Sequence, residues 1–219
     1  MAHEHLIAYT CQQVGTFFPG MEPAVLQGII ARHWDTAMAR LQACIDRVKM
    51  WPQGQFNHLN SSQYCQYLYF LSNTIWREER SEEALGVATR LFLLNKALNG
   101  IDLFYEIEMP EVFFIGHSVG IVLAKATYGN YLVLYQNSTV GKNHGVAPVL
   151  GAGVILYPNS AIIGRCRIGA NTAVSQGTGV INRDTPGNCM VFAGTAGELT
   201  IKTAKRPLID DFFRRGSEL

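Results

Sequence analysis

The chain has little charge imbalance: 18 basic residues stand against 17 acidic ones among 219. That balance argues against nucleic acid or an anionic membrane surface as a partner. Long apolar runs are missing too. The richest stretch, Leu85 to Leu103, is broken by Arg90, Lys96 and Asn99, which leaves no run of about 18 apolar residues to span a bilayer. Cysteine is sparse. Cys11, Cys44, Cys65, Cys166 and Cys189 are odd in number and have no metal-ligand spacing, which fits a reducing compartment and no metal. The opening MAHEHLIAYTCQQVG lacks the basic stretch and apolar core of a signal peptide, so the expectation is a soluble, cytoplasmic protein. Walker, Cys-x-x-Cys, His-Glu-x-x-His and Gly-x-Ser-x-Gly motifs are all absent, which removes the nucleotide-loop, redox, zinc-protease and serine-hydrolase classes.

What the chain does have is a beat of six. Leu150, Leu156, Ile162, Ile168, Val174 and Val180 follow one another at six-residue intervals with no insertion. Two residues before each stands Pro148, Val154, Ser160, Cys166, Thr172 or Thr178. Six is neither the helix period nor strand alternation, so the segment reads as a solenoid. One aliphatic residue per flat face points inward and stacks on the next coil, and the smaller residues let the chain turn the corner. Ile115, Ile121, Thr127, Val133 and Thr139 keep a looser version of the same spacing, so the coils are expected to begin near Val112. The beat breaks at Gly141 to Ala147, which reads as a loop thrown out of the coil. The segment Asn182 to Asn188 is expected to end the coil. Gly151-Ala152-Gly153 lies within the register and is a corner rather than a dinucleotide loop.

The first hundred residues read as helical. Ile30, Trp34, Ala37, Leu41, Cys44 and Val48 form one stripe of a helix from about Pro23 to Lys49. An aromatic helix follows around Tyr64, Tyr67, Leu68, Leu71 and Ile75, with core packing as its expected role. A third begins at Ser81 and stops at Asn99-Gly100. The tail interleaves Lys202, Lys205, Arg206, Arg214 and Arg215 with Leu208, Ile209, Phe212 and Phe213, and reads as a short amphipathic helix. The predicted class is α + β, divided into a helical N-terminal domain (1–105), a left-handed parallel β-helix (106–197) and a C-terminal tail (198–219).

Two segments carry a family resemblance. Gly116-His117-Ser118-Val119-Gly120-Ile121-Val122 resembles the Asp-His-Ala-Thr-Gly-Ile-Val-Val stretch of serine acetyltransferases. Gln136-Asn137-Ser138-Thr139-Val140-Gly141 is similar to that family's Gln-Ser-Val-Thr-Leu-Gly-Gly. The resemblance covers roughly Ser61 to Gly197. It implies a hexapeptide-repeat acyltransferase that moves an acetyl group from acetyl-coenzyme A to a hydroxyl. His117 would be the general base, because a neutral hydroxyl is a weak nucleophile and imidazole accepts its proton near neutral pH. The family pairs this histidine with an acid from the segment before the coils. Here that segment is Asp102 to Glu111. Anchoring on Pro110 favours Glu108 or Glu106, and counting back from His117 favours Asp102; Glu108 is taken as the partner.

Acceptor contacts are assigned to His144 and Glu106. The family's Arg-His pair before the loop proline is replaced here by Val146-Ala147, and its aspartate before the catalytic histidine by Gly116. Both departures point away from serine and towards a sugar hydroxyl, with serine kept open. The resemblance implies a groove for coenzyme A, assigned to Ala152, Gly153, Ala170, Ser175, Gln176 and Gly177, with Lys202, Lys205 or Arg206 meeting the phosphates. It also implies a homotrimer with sites at the seams, or a dimer of trimers, with no membrane span. A complex with cysteine synthase is not expected, since Gly216-Ser217-Glu218-Leu219 lacks the isoleucine that partner reads. A silent scaffold is the competing class.

Overall fold

The computed structural model describes residues 3–214; Arg215 and the Gly216–Leu219 segment lie outside the described residues. The N-terminal part is built from helices α1 (His3–Phe17), α2 (Pro23–Ile45), α3 (Ser61–Glu78) and α4 (Glu82–Asn99). Local chemistry sets their ends. Pro23 opens α2 where its missing N–H costs nothing. The Asn60 side chain accepts from the N–H groups of Ser62 and Gln63 at the start of α3, and Ser81 accepts from Ala84 at the start of α4. Gly100 closes α4 at φ 63°, donating to the Lys96 carbonyl. Helix α2 stops at Ile45, four residues short of Lys49, and α1 forms where the composition gave no distinct stripe.

Helix α3 lies at the centre, buried from Gln63 to Ile75. Tyr64, Tyr67, Tyr69 and Phe70 are all core residues, so the aromatic helix packs inward as expected. Buried polar groups on α3 reach across to the first coil and to the segment just before it, as buried polar groups must find partners. Gln66 Nε2 donates to the Phe113 carbonyl at 2.7 Å, Asn73 Nδ2 to Tyr105 at 2.8 Å, and the Tyr69 hydroxyl to Ile107 at 2.6 Å. Cys44 from α2 contacts the Phe113 backbone through its sulfur at 3.3 Å. Burial pushes that thiol up to about 12, so it stays protonated and acts as a packing group.

From Phe113 the chain winds into a three-sided parallel solenoid of about four turns. The first side stacks β1 (Phe113–Ile115), β4 (Leu132–Leu134), β7 (Ile155–Leu156), β10 (Thr172–Val174) and β12 (Cys189–Ala193). The second stacks β2 (Val122–Leu123), β5 (Thr139–Gly141), β8 (Ala161–Ile163) and β11 (Gly179–Ile181). The third stacks β3 (Thr127–Tyr128), β6 (Val149–Leu150) and β9 (Arg167–Ile168).

The six-residue beat maps directly onto these sides. Leu156 lies over Val174, Ile162 over Val180 and Leu150 over Ile168, each pair three beats apart. All six are buried, and so are the six residues two positions before them. Three of those residues tie the corner with their own side chains. Ser160 donates to the Tyr157 carbonyl at 2.7 Å, Thr172 to Gly169 at 2.7 Å and Cys166 to Ile163 at 3.2 Å. Asparagines in the left-handed region complete the corners, among them Asn137, Asn159, Asn171 and Asn188.

Three expectations are corrected. In the first coils the inward beat falls on Tyr128, Leu134 and Val140, in register with Leu150, Leu156 and Ile162; the expected Thr127, Val133 and Thr139 each stand one residue earlier. The coil does not end at Asn182: Thr185 still pairs with Ile168, and β12 still pairs in parallel with β10. The tail is not an amphipathic helix. Strand β13 (Leu199–Thr203) turns back antiparallel on β12, and a single 3₁₀ turn follows over Leu208–Asp211. Phe212 and Phe213 are then buried against the chain's own Tyr135 and Tyr131. Among the described residues, no helix is long and apolar enough to cross a membrane.

Candidate active site at the corners of the coil

His117 sits on the corner between β1 and β2, exposed at the end of the first coil. The backbone around it is fixed from several sides. Ser118 is buried and its hydroxyl donates to the Asn99 carbonyl at 2.7 Å. Gly120, at φ 77°, donates to the Gly100 carbonyl at 2.9 Å; a Cβ there would meet Asn137 Oδ1 at 2.0 Å, so only glycine fits. The helical domain therefore holds this corner while the imidazole itself projects free. No hydrogen bond or ion pair to the His117 ring is present among the described residues. Its nearest aromatic neighbour is Tyr135, with ring centroids 6.4 Å apart and planes tilted by 52°.

A column of positions runs along this corner, each one residue past the inward beat of the first side: Gly116, Tyr135, Tyr157, Ser175 and, within β12, Phe192. Tyr135 and Tyr157 stack with centroids 5.8 Å apart at 15°. Phe114 and Phe212 pack edge-on against Tyr135 at 6.4 and 6.3 Å. Burial raises the pKa of both phenols above the ordinary tyrosine value, with Tyr157 adding to the effect at Tyr135 and Asp211 at Tyr157. Both remain O–H groups at neutral pH. The sequence reading missed this pair, because the tyrosines fall one residue after the beat. Their recurrence after Leu134 and Leu156 was the available signal.

The other predicted site residues stand at different corners. The loop at Gly141–Ala147 is a tight hairpin, with Asn143 and Val146 exchanging backbone bonds at 3.0 Å. His144 (φ 47°) and Gly145 (φ 78°) form its tip, the positive-φ pair that a two-residue hairpin demands. It lies between the second and third sides, with His144 exposed. Glu106 and Glu108 line a cavity of about 360 Å³ on that same corner, with Lys125 to Thr127 and Ala147 to Val149. Glu106 pairs with Lys125, and Glu108 sits 3.9 Å from Arg77. Asp102 adds its backbone to the edge of the second side beside Ile121 and Leu123, and its carboxylate bonds Lys96 at 2.7 Å.

The residues assigned to coenzyme A divide between two corners. Ser175, Gln176 and Gly177 share the corner of His117. Ala152, Gly153 and Ala170 lie between the third and first sides, where a Cβ on Gly153 would meet Ile209 of the tail at 2.9 Å. Lys202 reaches over the Phe192 ring at 5.2 Å, at the foot of the column. Lys205 follows Ala204, which bonds Asn188 near the opposite corner. No group of three or more potential metal ligands occurs among the described residues.

No protein-family model matches the chain. Among curated proteins it is similar to serine acetyltransferase of Synechococcus elongatus, 28% identical over 134 residues, covering 57% of this chain and 53% of that protein. Serine acetyltransferase 4 of Arabidopsis thaliana is 27% identical over 133 residues, 58% of this chain and 36% of that protein. The chain thus spans about half the length of the first and about a third of the second. Among solved structures, serine acetyltransferase of Neisseria gonorrhoeae superposes with a TM-score of 0.71 at 19% identity, over 95% of this chain and 82% of that one. The Vibrio cholerae enzyme gives 0.70 at 15% identity, over 94% and 81%. The chain is a hexapeptide-repeat left-handed β-helix protein resembling the serine acetyltransferases.

Within that resemblance, the departure at position 116 has a local cause. A Cβ on Gly116 would lie 2.6 Å from Tyr135 Cε1. The tyrosine ring occupies the space into which a side chain at 116 would project, so the glycine and the tyrosine are one feature.

Proposed function

We propose that the chain is an acetyl-coenzyme-A-dependent O-acetyltransferase with His117 as general base. The observation that supports the reading is an imidazole held on a rigid coil corner, with no hydrogen bond or ion pair among the described residues, within a segment that resembles a serine acetyltransferase motif. His117 would take the proton of the acceptor hydroxyl as its oxygen attacks the thioester carbonyl. The carbon–sulfur bond then breaks, and the thiolate recovers the proton. Positioning of donor and acceptor supplies much of the remaining acceleration. The donor would run along the column from Ser175, Gln176 and Gly177, with Lys202 towards its phosphates.

A trimer is part of the proposal. Glu106, Glu108 and His144 share one corner and His117 occupies another, so three copies about a common axis would set one chain's His117 corner against the next chain's loop corner. Glu108 would then orient the imidazole across the seam, and Glu106 and His144 would contact the acceptor. The acceptor is a small polar hydroxyl compound, a sugar or a serine-like molecule. True serine acetylation is the second reading, favoured by the curated relatives. The test is free-thiol release from acetyl-coenzyme A over a panel of acceptors, with His117→Ala beside the wild type. Release that depends on an acceptor and falls about 10²–10⁴-fold in the variant supports the reading; equal release by both removes it.

A further inference from the structure

We infer that Tyr135, backed by Tyr157, is the wall on which the acceptor lies, and that the acceptor it fits is a neutral polyhydroxylated ring compound, a sugar or cyclitol, rather than an ammonium-bearing amino acid. The inference rests on the acyl-transfer reading above and names its acceptor class. An ammonium taken out of water needs a carboxylate to replace its hydration. The acids that come near the site already face cations. Asp211, beside Tyr157, pairs with Arg206 at 2.7 Å. At the loop corner Glu106 pairs with Lys125, Glu108 sits 3.9 Å from Arg77 and Asp102 bonds Lys96, so Glu106 would meet the acceptor as half of an ion pair and not as a free counter-ion. Position 116 cannot supply one, because a side chain there enters the Tyr135 ring.

The wall has the opposite character. Tyr157 stacks on one face of Tyr135, so that face is closed to a cation. Phe114 and Phe212 pack around the ring and hold it in place. What stands beside His117 is the Tyr135 ring, 6.4 Å away between centroids, with Tyr157 stacked on it; neither phenol hydroxyl makes a hydrogen bond among the described residues. A phenol O–H both donates and accepts, as the hydroxyls of a polyol do. An apolar surface with a few such groups suits a ring that is apolar at its C–H bonds and polar at its rim.

Three variants separate this wall from a merely structural ring: Tyr135→Phe, Tyr135→Leu, and Gly116→Asp combined with Tyr135→Leu. Each would be assayed by thiol release with monosaccharides, myo-inositol, serine and homoserine. Binding would be followed separately by saturation-transfer NMR from the aromatic protons, without acetyl-coenzyme A. The expected result is that wild type prefers a polyol and transfers saturation to its ring protons. Tyr135→Leu should then lower kcat/KM for that polyol by about tenfold or more through KM, raise the KM for acetyl-coenzyme A by a smaller factor and abolish the saturation. Tyr135→Phe should lose less, and the double variant should gain on serine. Preference of the wild type for serine, or a polyol KM unmoved by Tyr135→Leu, overturns the inference while leaving the base in place. Transfer that survives in His117→Ala overturns the base instead, and the saturation signal still reports the wall. Neither transfer nor saturation with any polyol refutes the inference.

Discussion

Ile162 and Ile163 are neighbours of the same residue type on strand β8, and they face opposite sides of it. Ile162 is fully buried, with Val140 above and Val180 below in register. Ile163 faces outward and is only partly covered, with Gly141 and Ile181 as its register partners. Truncating Ile162 to alanine removes methyl groups stacked between two coils that cannot collapse independently, because backbone hydrogen bonds fix their spacing. The cost should fall in the range of about 2–5 kcal/mol for a buried isoleucine, a large part of a total stability of about 5–15 kcal/mol. Ile163→Ala loses only the covered fraction of its surface, on the order of 1 kcal/mol. Urea unfolding followed by circular dichroism measures both, with unchanged slope as the sign that stability alone has moved. Equal losses, or a larger loss at Ile163, would refute the assignment of the inward face.

Other outcomes follow from the same contacts. Glu79 is held at about 2 by hydrogen bonds from His33, Ser81 and Arg32. A depressed folded value means its contribution is complete above the ordinary carboxylate range and fades as pH falls towards about 2; Glu79→Gln should therefore flatten the acid limb of a stability profile between those values and lower stability at pH 7. Arg214 donates to the carbonyls of Asp46, Val48, Lys49 and Trp51, so Arg214→Ala should cost about 1.5–3 kcal/mol and raise hydrogen exchange at the amides of Lys49 and Phe213. Ser81→Ala should cost about 1 kcal/mol by removing the cap of α4, read as a lowered melting temperature. If the site lies at a seam, mixing inactive His117→Ala with inactive His144→Ala chains should restore part of the activity; no recovery after subunit exchange would place both residues in one chain's site.

The solenoid was legible because one inward position in every six is aliphatic without exception from Leu150 to Val180, so these residues stand out against their neighbours. Phasing failed in the earlier coils for a physical reason. Thr127 and Thr139 are β-branched and suit a strand on either face, and the four extra residues of the loop shift the count between Val140 and Ile162. The same insertion hid the stacking of Tyr135 on Tyr157. The tail was misread because Phe212 and Phe213 fit a helix as well as a docked turn, and only the groove lined by Phe114, Tyr131 and Tyr135 decides between them. His117 stood out as the candidate base from its motif. A candidate acid was harder to choose, since Asp102, Glu106 and Glu108 are close in sequence but face different neighbours once folded.

The most direct test of the central claim is acceptor-dependent thiol release from acetyl-coenzyme A by wild type and by His117→Ala, with the variant's fold verified by circular dichroism. Turnover is expected in the wild type, with a loss of about 10²–10⁴-fold in a variant that is still folded. A folded His117→Ala protein that turns over as fast as wild type would contradict the claim.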